Sequence, residues 1–274
     1  MLKIPGRAYK FFHLLSLDVV LGAAGGYAFA CRVLQQNISI DILLVLGLAV
    51  WIIYLTDHLL DSAKAKNSSL LKYRLYLEYR KCIIVLLVML CGTGLVMVIA
   101  ALSFESVIAG LVMGGFVLLY LTGQHLLSEE LRKFFPKEIS IAVIYIAAIW
   151  IVPLLQTGFT EVEYQPYMFL HFLLVLANVS LFTLFEKPED LNTHKNSFFG
   201  AISVQQLRTI IVILAVTTFT GSLMLLQNGI YYVLPFLIIS VVYLLEAFFP
   251  QRGFIARYYA IITDGVFLLF LIFF

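Results

Sequence analysis

Nine stretches of this chain are apolar over lengths that can cross a lipid bilayer, and no other feature narrows its fold so far. They fall at about 13–33, 40–60, 82–102, 106–122, 139–157, 167–185, 206–226, 230–249 and 254–274. A spanning helix needs about 20 such residues, each adding about 1.5 Å, to cover a hydrocarbon layer of about 30 Å. With no water to accept backbone hydrogen bonds there, runs of this length are helices. Composition agrees. Of 274 residues, 62% are hydrophobic and 12% charged, with a mean hydropathy of +1.00, too little charge for the surface of a soluble domain. The third and fourth runs are the closest pair, and the four residues Ser103–Ser106 must turn the chain between them. Residues 1–274 read as one polytopic domain.

Lysine and arginine set the orientation, because they accumulate in cytoplasmic loops. With the N-terminus inside, the inside segments hold Lys3, Arg7 and Lys10, then Lys64, Lys66, Lys72, Arg74, Arg80 and Lys81. They continue with Arg132, Lys133, Lys137, Lys187, Lys195, Arg208, Arg252 and Arg257, which leaves Arg32 outside. Removing one span would scramble that bias, so nine spans and a cytoplasmic N-terminus support each other. The short basic segment Met1–Lys10 leads into an apolar run interrupted by Asp18 and reads as a retained first helix. Cys31, Cys82 and Cys91 lack metal-ligand spacing and read as small packing residues. Gly22, Ala23, Ala24, Gly25 and Gly26 suit close approach of a neighbouring helix.

Carboxylates are scarce, and two pairs stand out. Asp57 and Asp61 close the second span; Glu186 and Asp190 close the sixth. Residues four apart share a helix face, so each pair places like charges together at a helix C-terminus, where the macrodipole also disfavours anions. Solvation at a wet helix end is the plain explanation for one pair. Two pairs at matching positions, each on the second helix of a four-helix set, point to two pseudo-repeats plus a final helix, with a site between the halves. The compensating cation is either a nearby lysine, such as Lys64 or Lys66, or Mg²⁺, which takes carboxylate, phosphate and water oxygens. The loop 62–81 interleaves six basic residues, Lys72 and Arg74 among them, with Tyr73, Tyr76 and Tyr79. The positive-inside bias accounts for such a loop, and a metal-bound diphosphate would use it too.

In these motifs the chain resembles the UbiA superfamily of intramembrane prenyltransferases, nine-helix bundles with Asp-rich motifs after the second and sixth helices. The family's N-D-x-x-D-x-x-x-D corresponds here to Ile53-Tyr54-x-x-Asp57-x-x-x-Asp61. Its second motif, roughly D-x-x-x-D followed by Gly and Ser or Thr, corresponds to Glu186-x-x-x-Asp190, then His194 and Ser197. A basic segment entering the fifth helix resembles Phe135-Pro136-Lys137-Glu138. The resemblance implies an integral bacterial inner-membrane enzyme in which Asp57, Asp61, Glu186 and Asp190 hold Mg²⁺ against a prenyl diphosphate. Lys137, with Arg74, Lys72 and Lys64, would bind the diphosphate, and an aromatic or other lipophilic acceptor would receive the isoprenyl group. Membrane lipid is the other partner, and nucleic acid is not one. Departures are Ile53 and Tyr54 for the leading Asn and Asp, Glu186 for Asp, and His194 where Gly is common. They leave open a relative that binds lipid or isoprenoid without transfer.

Asp18 and Asp264 fall inside the first and last spans, where carboxylates are functional candidates. In a closed ring these spans are neighbours, so both acids face one cavity, and a small-solute transporter would use them as its coupling site. Glu246, near an inside end, is expected to reach water. Among the histidines only His58, beside Asp57, is a candidate; His171 and His125 read as packing or interfacial residues, and His13 shows no ligand spacing.

Overall fold

The structure, a computed structural model, describes residues 12–64, 71–126, 136–158, 163–190, 199, 202–227, 231–250 and 253–273. Within these ranges the side chains of 64, 71, 72, 125, 126, 186–190, 253, 254, 256 and 257 are not described. The elements are α1 (Leu17–Val33), α2 (Ile40–Lys64), α3 (Leu71–Glu78), α4 (Arg80–Ala101), α5 (Phe104–Leu126) and α6 (Lys137–Thr157). Then come α7 (Gln165–Asp190), α8 (Val204–Gln227), a 3-10 turn at Tyr231–Val233 leading into α9 (Leu234–Phe248), and α10 (Gly253–Gly265). A second 3-10 turn, Val266–Leu268, joins α10 to α11 (Leu269–Phe273). The described chain is all helical, and seven of its helices are long and apolar enough to cross a membrane: α2, α4, α5, α6, α7, α8 and α9 with its leading turn. This is a multi-pass helical membrane architecture.

The expected last span is interrupted by the 3-10 turn at Val266–Leu268, and the first is shorter than predicted, for a local reason. Residues 12–14 form a helical turn, and the chain then breaks at Leu15–Ser16, where Ser16 is left-handed with φ of 57°. A non-glycine residue there costs about 1 kcal/mol or more, so other contacts must hold it. Those contacts come from two other helices. The Trp51 indole donates to the Leu15 carbonyl at 2.9 Å, the Tyr76 hydroxyl to the Leu14 carbonyl at 3.3 Å, and Ser16 Oγ lies 3.2 Å from His58 Nε2. Tyr76 belongs to α3, a short helix in the basic loop that hydropathy does not reveal. It seats Tyr73 and Tyr76, three apart and both buried, against the bundle.

Two apolar clusters organise the bundle. The larger joins α1, α6, α7, α8, α9 and the last segment through Phe29, Trp150, Leu181, Leu207, Phe236 and Phe270. The smaller joins α2, α3 and α4 through Leu55, Tyr76, Ile83 and Leu90. Beyond Ile83 and Leu90, α4 presents Val85, Val88, Met89 and Val96 outward, and α5 presents Leu111, Leu118 and Leu119. Lipid takes the place of water around such faces, so close packing rather than apolar burial holds the helices together.

Close packing brings α1 directly onto the last segment, as the small residues of α1 predict. A Cβ on Gly22 would lie 2.9 Å from Phe267 Cβ; one on Gly25 would lie 2.9 Å from Phe270 Cβ and 3.0 Å from the Leu271 backbone nitrogen. Backbone cannot yield as a flexible side chain can. Gly25→Val is therefore expected to destabilise the bundle by about 1–3 kcal/mol, read as a lowered thermal midpoint in detergent. An unchanged midpoint would mean the last segment does not dock there.

Candidate functional site

Between α2, α5 and α6 lies a cavity of about 580 Å³. Its wall is apolar along most of its length, from Ile42, Val45 and Leu46 on α2 and Met113 and Val117 on α5 to Ala148 and Val152 on α6. At one end it becomes polar, where Tyr54, Asp57, Tyr120 and Tyr145 line it. An apolar cleft with a few convergent polar groups is the usual form of a small-molecule site.

The polar end is built by three helices. Asp61 lies one turn beyond Asp57 on α2, and its Oδ2 is 3.4 Å from Lys137 Nζ. Lys137 is the first residue of α6, behind Pro136, whose extended backbone starts the helix. A cation at a helix N-terminus opposes the macrodipole, and here the two carboxylates of α2 offset that: Lys137 lies within electrostatic reach of both Asp61 and Asp57. The Tyr120 hydroxyl, buried in the same neighbourhood, has no hydrogen-bond partner among the described residues. Leaving a buried hydroxyl unpaired costs about 1–3 kcal/mol, so an acceptor placed at this end of the cavity would gain a hydrogen bond from Tyr120. Glu138 is also buried; its Oε1 accepts from Thr183 Oγ1 at 3.3 Å, and its Oε2 has no partner among the described residues.

A second polar group lies next to this one. His13 Nδ1 is 2.5 Å from Asp18 Oδ2 and 4.0 Å from Asp264 Oδ2, so α1 and α10 do bring Asp18 and Asp264 together, on a histidine whose spacing gave no sign of it. Asn178 of α7 donates to Asp264 Oδ1 at 3.3 Å and to the Thr263 carbonyl at 2.9 Å. Tyr54 is within electrostatic reach of Asp264, Asp57, Asp18 and Lys137, and so connects the two groups. Glu246 does not reach water, contrary to expectation. It is 1% exposed, and Thr263 Oγ1 lies 3.1 Å from both of its carboxyl oxygens.

The remaining candidates distribute as follows. His58 sits edge-on between the rings of Tyr54 and Tyr76, with Ser16 on its Nε2. Arg74 is exposed on α3. Lys64 and Lys72 are helical, as are Glu186 and Asp190 at the end of α7, but their side chains fall outside the description, and His194 lies outside the described residues. His171 is a packing residue, fully buried, with Nδ1 accepting from the Trp150 indole at 3.3 Å. Of the cysteines, Cys31 is buried and Cys82 and Cys91 are exposed. Comparison with protein-family models, with curated proteins and with solved structures finds no match to this chain.

Proposed function

We propose that this protein is a membrane prenyltransferase that moves an isoprenyl group from a prenyl diphosphate to an aromatic or other lipophilic acceptor. The observation that carries the reading is the cavity itself: an apolar trough of about 580 Å³ whose one polar end gathers Asp57, Tyr54, Tyr120 and Tyr145, with the Lys137–Asp61 pair beside it. A long tail lies along the trough and an anionic head at its polar end. In this reading the chain crosses the membrane nine times from a cytoplasmic N-terminus, with α1 and α10–α11 as the first and last passes. Their tight contact across Gly22 and Gly25 supports closing the ring that way.

Asp57 and Asp61 offer the oxygen donors that Mg²⁺ takes, one turn apart, and the Tyr120 hydroxyl, which has no partner among the described residues, suits a diphosphate oxygen. The fit extends to Glu186 and Asp190 through the motif only. Bound Mg²⁺ would neutralise the diphosphate as pyrophosphate departs. The chain's own part is to hold Lys137 and the Tyr120 hydroxyl where charge develops on the leaving oxygen. The apolar wall keeps water from the allylic carbon. The C–O bond breaks with its electron pair leaving on pyrophosphate, and the acceptor forms the new bond to that carbon and loses a proton.

One observation favours a second reading, a lipid-binding relative without transfer: Asp61 is already paired with Lys137, which lessens its need for a metal. Binding and turnover of labelled prenyl diphosphates of several lengths, with and without Mg²⁺, separates the two. The detergent-purified protein is compared with Asp61→Asn and Asp190→Asn. Metal-dependent binding lost in both variants, with pyrophosphate release by the parent, is the expected result. Binding without release would favour the second reading. No binding at any length, with both variants like the parent, would end the prenyltransferase reading.

A further inference from the structure

We infer that His13, Asp18 and Asp264 form a divalent metal site that ties the first helical segment to the last. It is separate from the acidic pairs of the proposed transferase site and independent of that function. Three segments supply the ligands: the turn at 12–14, the start of α1 and the end of α10. One ligand atom from each lies within 4.8 Å of the others.

The two carboxylates are arranged alike. Asp18 Oδ1 accepts from the Val19 backbone N–H at 3.0 Å and Asp264 Oδ1 from Asn178 at 3.3 Å, so both Oδ2 atoms turn to His13 Nδ1. Holding the far oxygen of a ligating carboxylate is what an outer shell does at metal centres. Asn178 is itself fixed by the Thr263 carbonyl at 2.9 Å and the Tyr243 hydroxyl at 3.1 Å. The imidazole is placed as deliberately. Trp51 and Tyr76 catch the two carbonyls that follow His13, and Ser16 is held left-handed to bring residue 13 back over Asp18. Backbone strain of this kind persists where the surroundings over-determine it.

Charge and donor type select the ion. A divalent cation with a neutral imidazole and two carboxylates sums to zero, which suits a buried position where Asp18 is 0% exposed. One nitrogen and two carboxylate oxygens suit a first-row ion such as Mn²⁺, Fe²⁺ or Zn²⁺ better than Ca²⁺, which takes oxygen alone. Ligands about 2.1 Å from an ion and about at right angles lie about 3 Å apart. His13 and Asp18 therefore open by a few tenths of an ångström as the ion replaces the proton between them, and Asp264 closes by about 1 Å from its 4.0 Å. His13 and Asp264 are 18% and 12% exposed, which leaves a path for the ion.

The test is Co²⁺ titration of the full-length, chelator-stripped protein in detergent, read by visible d–d absorption, with Mn²⁺ competition. The parent is expected to show saturable absorption at one equivalent and a thermal midpoint that rises with metal. Both are lost in His13→Gln and Asp264→Asn and kept in Asp61→Asn. Asn178→Ala retains every ligand and is expected to bind about 10- to 100-fold more weakly, so the site is probed even if a ligand variant folds poorly. No saturable absorption in the parent would overturn the inference, leaving a hydrogen bond between His13 and Asp18. Absorption unchanged in His13→Gln and Asp264→Asn, or lost in Asp61→Asn, would overturn it as well by placing the ion elsewhere.

Discussion

Lys137→Met is expected to weaken Mg²⁺-dependent binding of farnesyl diphosphate by about 10- to 100-fold, the loss that follows when a hydrogen bond to a charged group, worth about 1.5–3 kcal/mol, is removed. The reasoning is electrostatic. Lys137 Nζ lies 3.4 Å from Asp61 Oδ2 and within reach of Asp57, at the polar end of the cavity. Without it, two carboxylates one turn apart face an incoming diphosphate with one counter-charge fewer. The same change also removes an ion pair, and the two effects must be separated. The pair is 25% and 15% exposed, so breaking it costs less than the 3–5 kcal/mol of a fully buried one, about 1–2 kcal/mol. The double variant Lys137→Met with Asp61→Asn removes both members of the pair and leaves Asp57 as the remaining carboxylate within the former reach of Lys137. Its thermal midpoint should recover toward the parent, while farnesyl diphosphate binding stays lost. A cycle in which the double variant regains both stability and binding would reduce Lys137 and Asp61 to a structural pair.

Hydropathy carried most of the fold because lipid leaves a chain little choice. The helices α4 and α6 begin within two residues of the runs at 82–102 and 139–157. Punctuation sets their ends: Pro136 starts α6, and Ser103 Oγ accepts from the Ser106 N–H at 3.3 Å to cap α5. Small residues in α1 announced a close neighbour, and Gly22 and Gly25 meet one. What failed to show was anything that depends on contact across the bundle. The first run counted residues 13–16 as part of a span, but the left-handed Ser16 breaks it, and that break places His13 on Asp18. Residues five apart do not stack on one helix, so no periodicity could have paired them. Glu246 looked like a wet helix end, and its partner Thr263 is supplied by a different helix. Tyr73 and Tyr76 were visible only as aromatics among lysines, although their three-residue spacing was the sign of α3. Glu138 was passed over beside Lys137, yet one helical step turns it toward Thr183 on α7 while Lys137 turns to Asp61 on α2.

Chain-length selectivity gives the largest effect that the cavity itself predicts. Gly114 lines the trough on α5, and a Cβ there would meet nothing within 4 Å, so branching the chain at this point creates no clash with the backbone or its neighbours. Gly114 is six residues from Tyr120 at the polar end, about 9 Å along the helix axis. In Gly114→Phe, a tail that ends within that distance of the headgroup keeps its place, whereas a longer one meets the new ring. Competing with lipid for the same tail offers little hydrophobic gain, so shape decides the outcome. Overfilling costs about 1–3 kcal/mol, a loss of about 5- to 150-fold for geranylgeranyl diphosphate with dimethylallyl diphosphate nearly unchanged. The thermal midpoint should stay at the parental value. Equal losses at every length would mean that the ring disturbs the polar end. No loss at any length would mean that the tail lies outside this trough, and the assignment of the cavity to an isoprenoid would fail even if Lys137 proved essential.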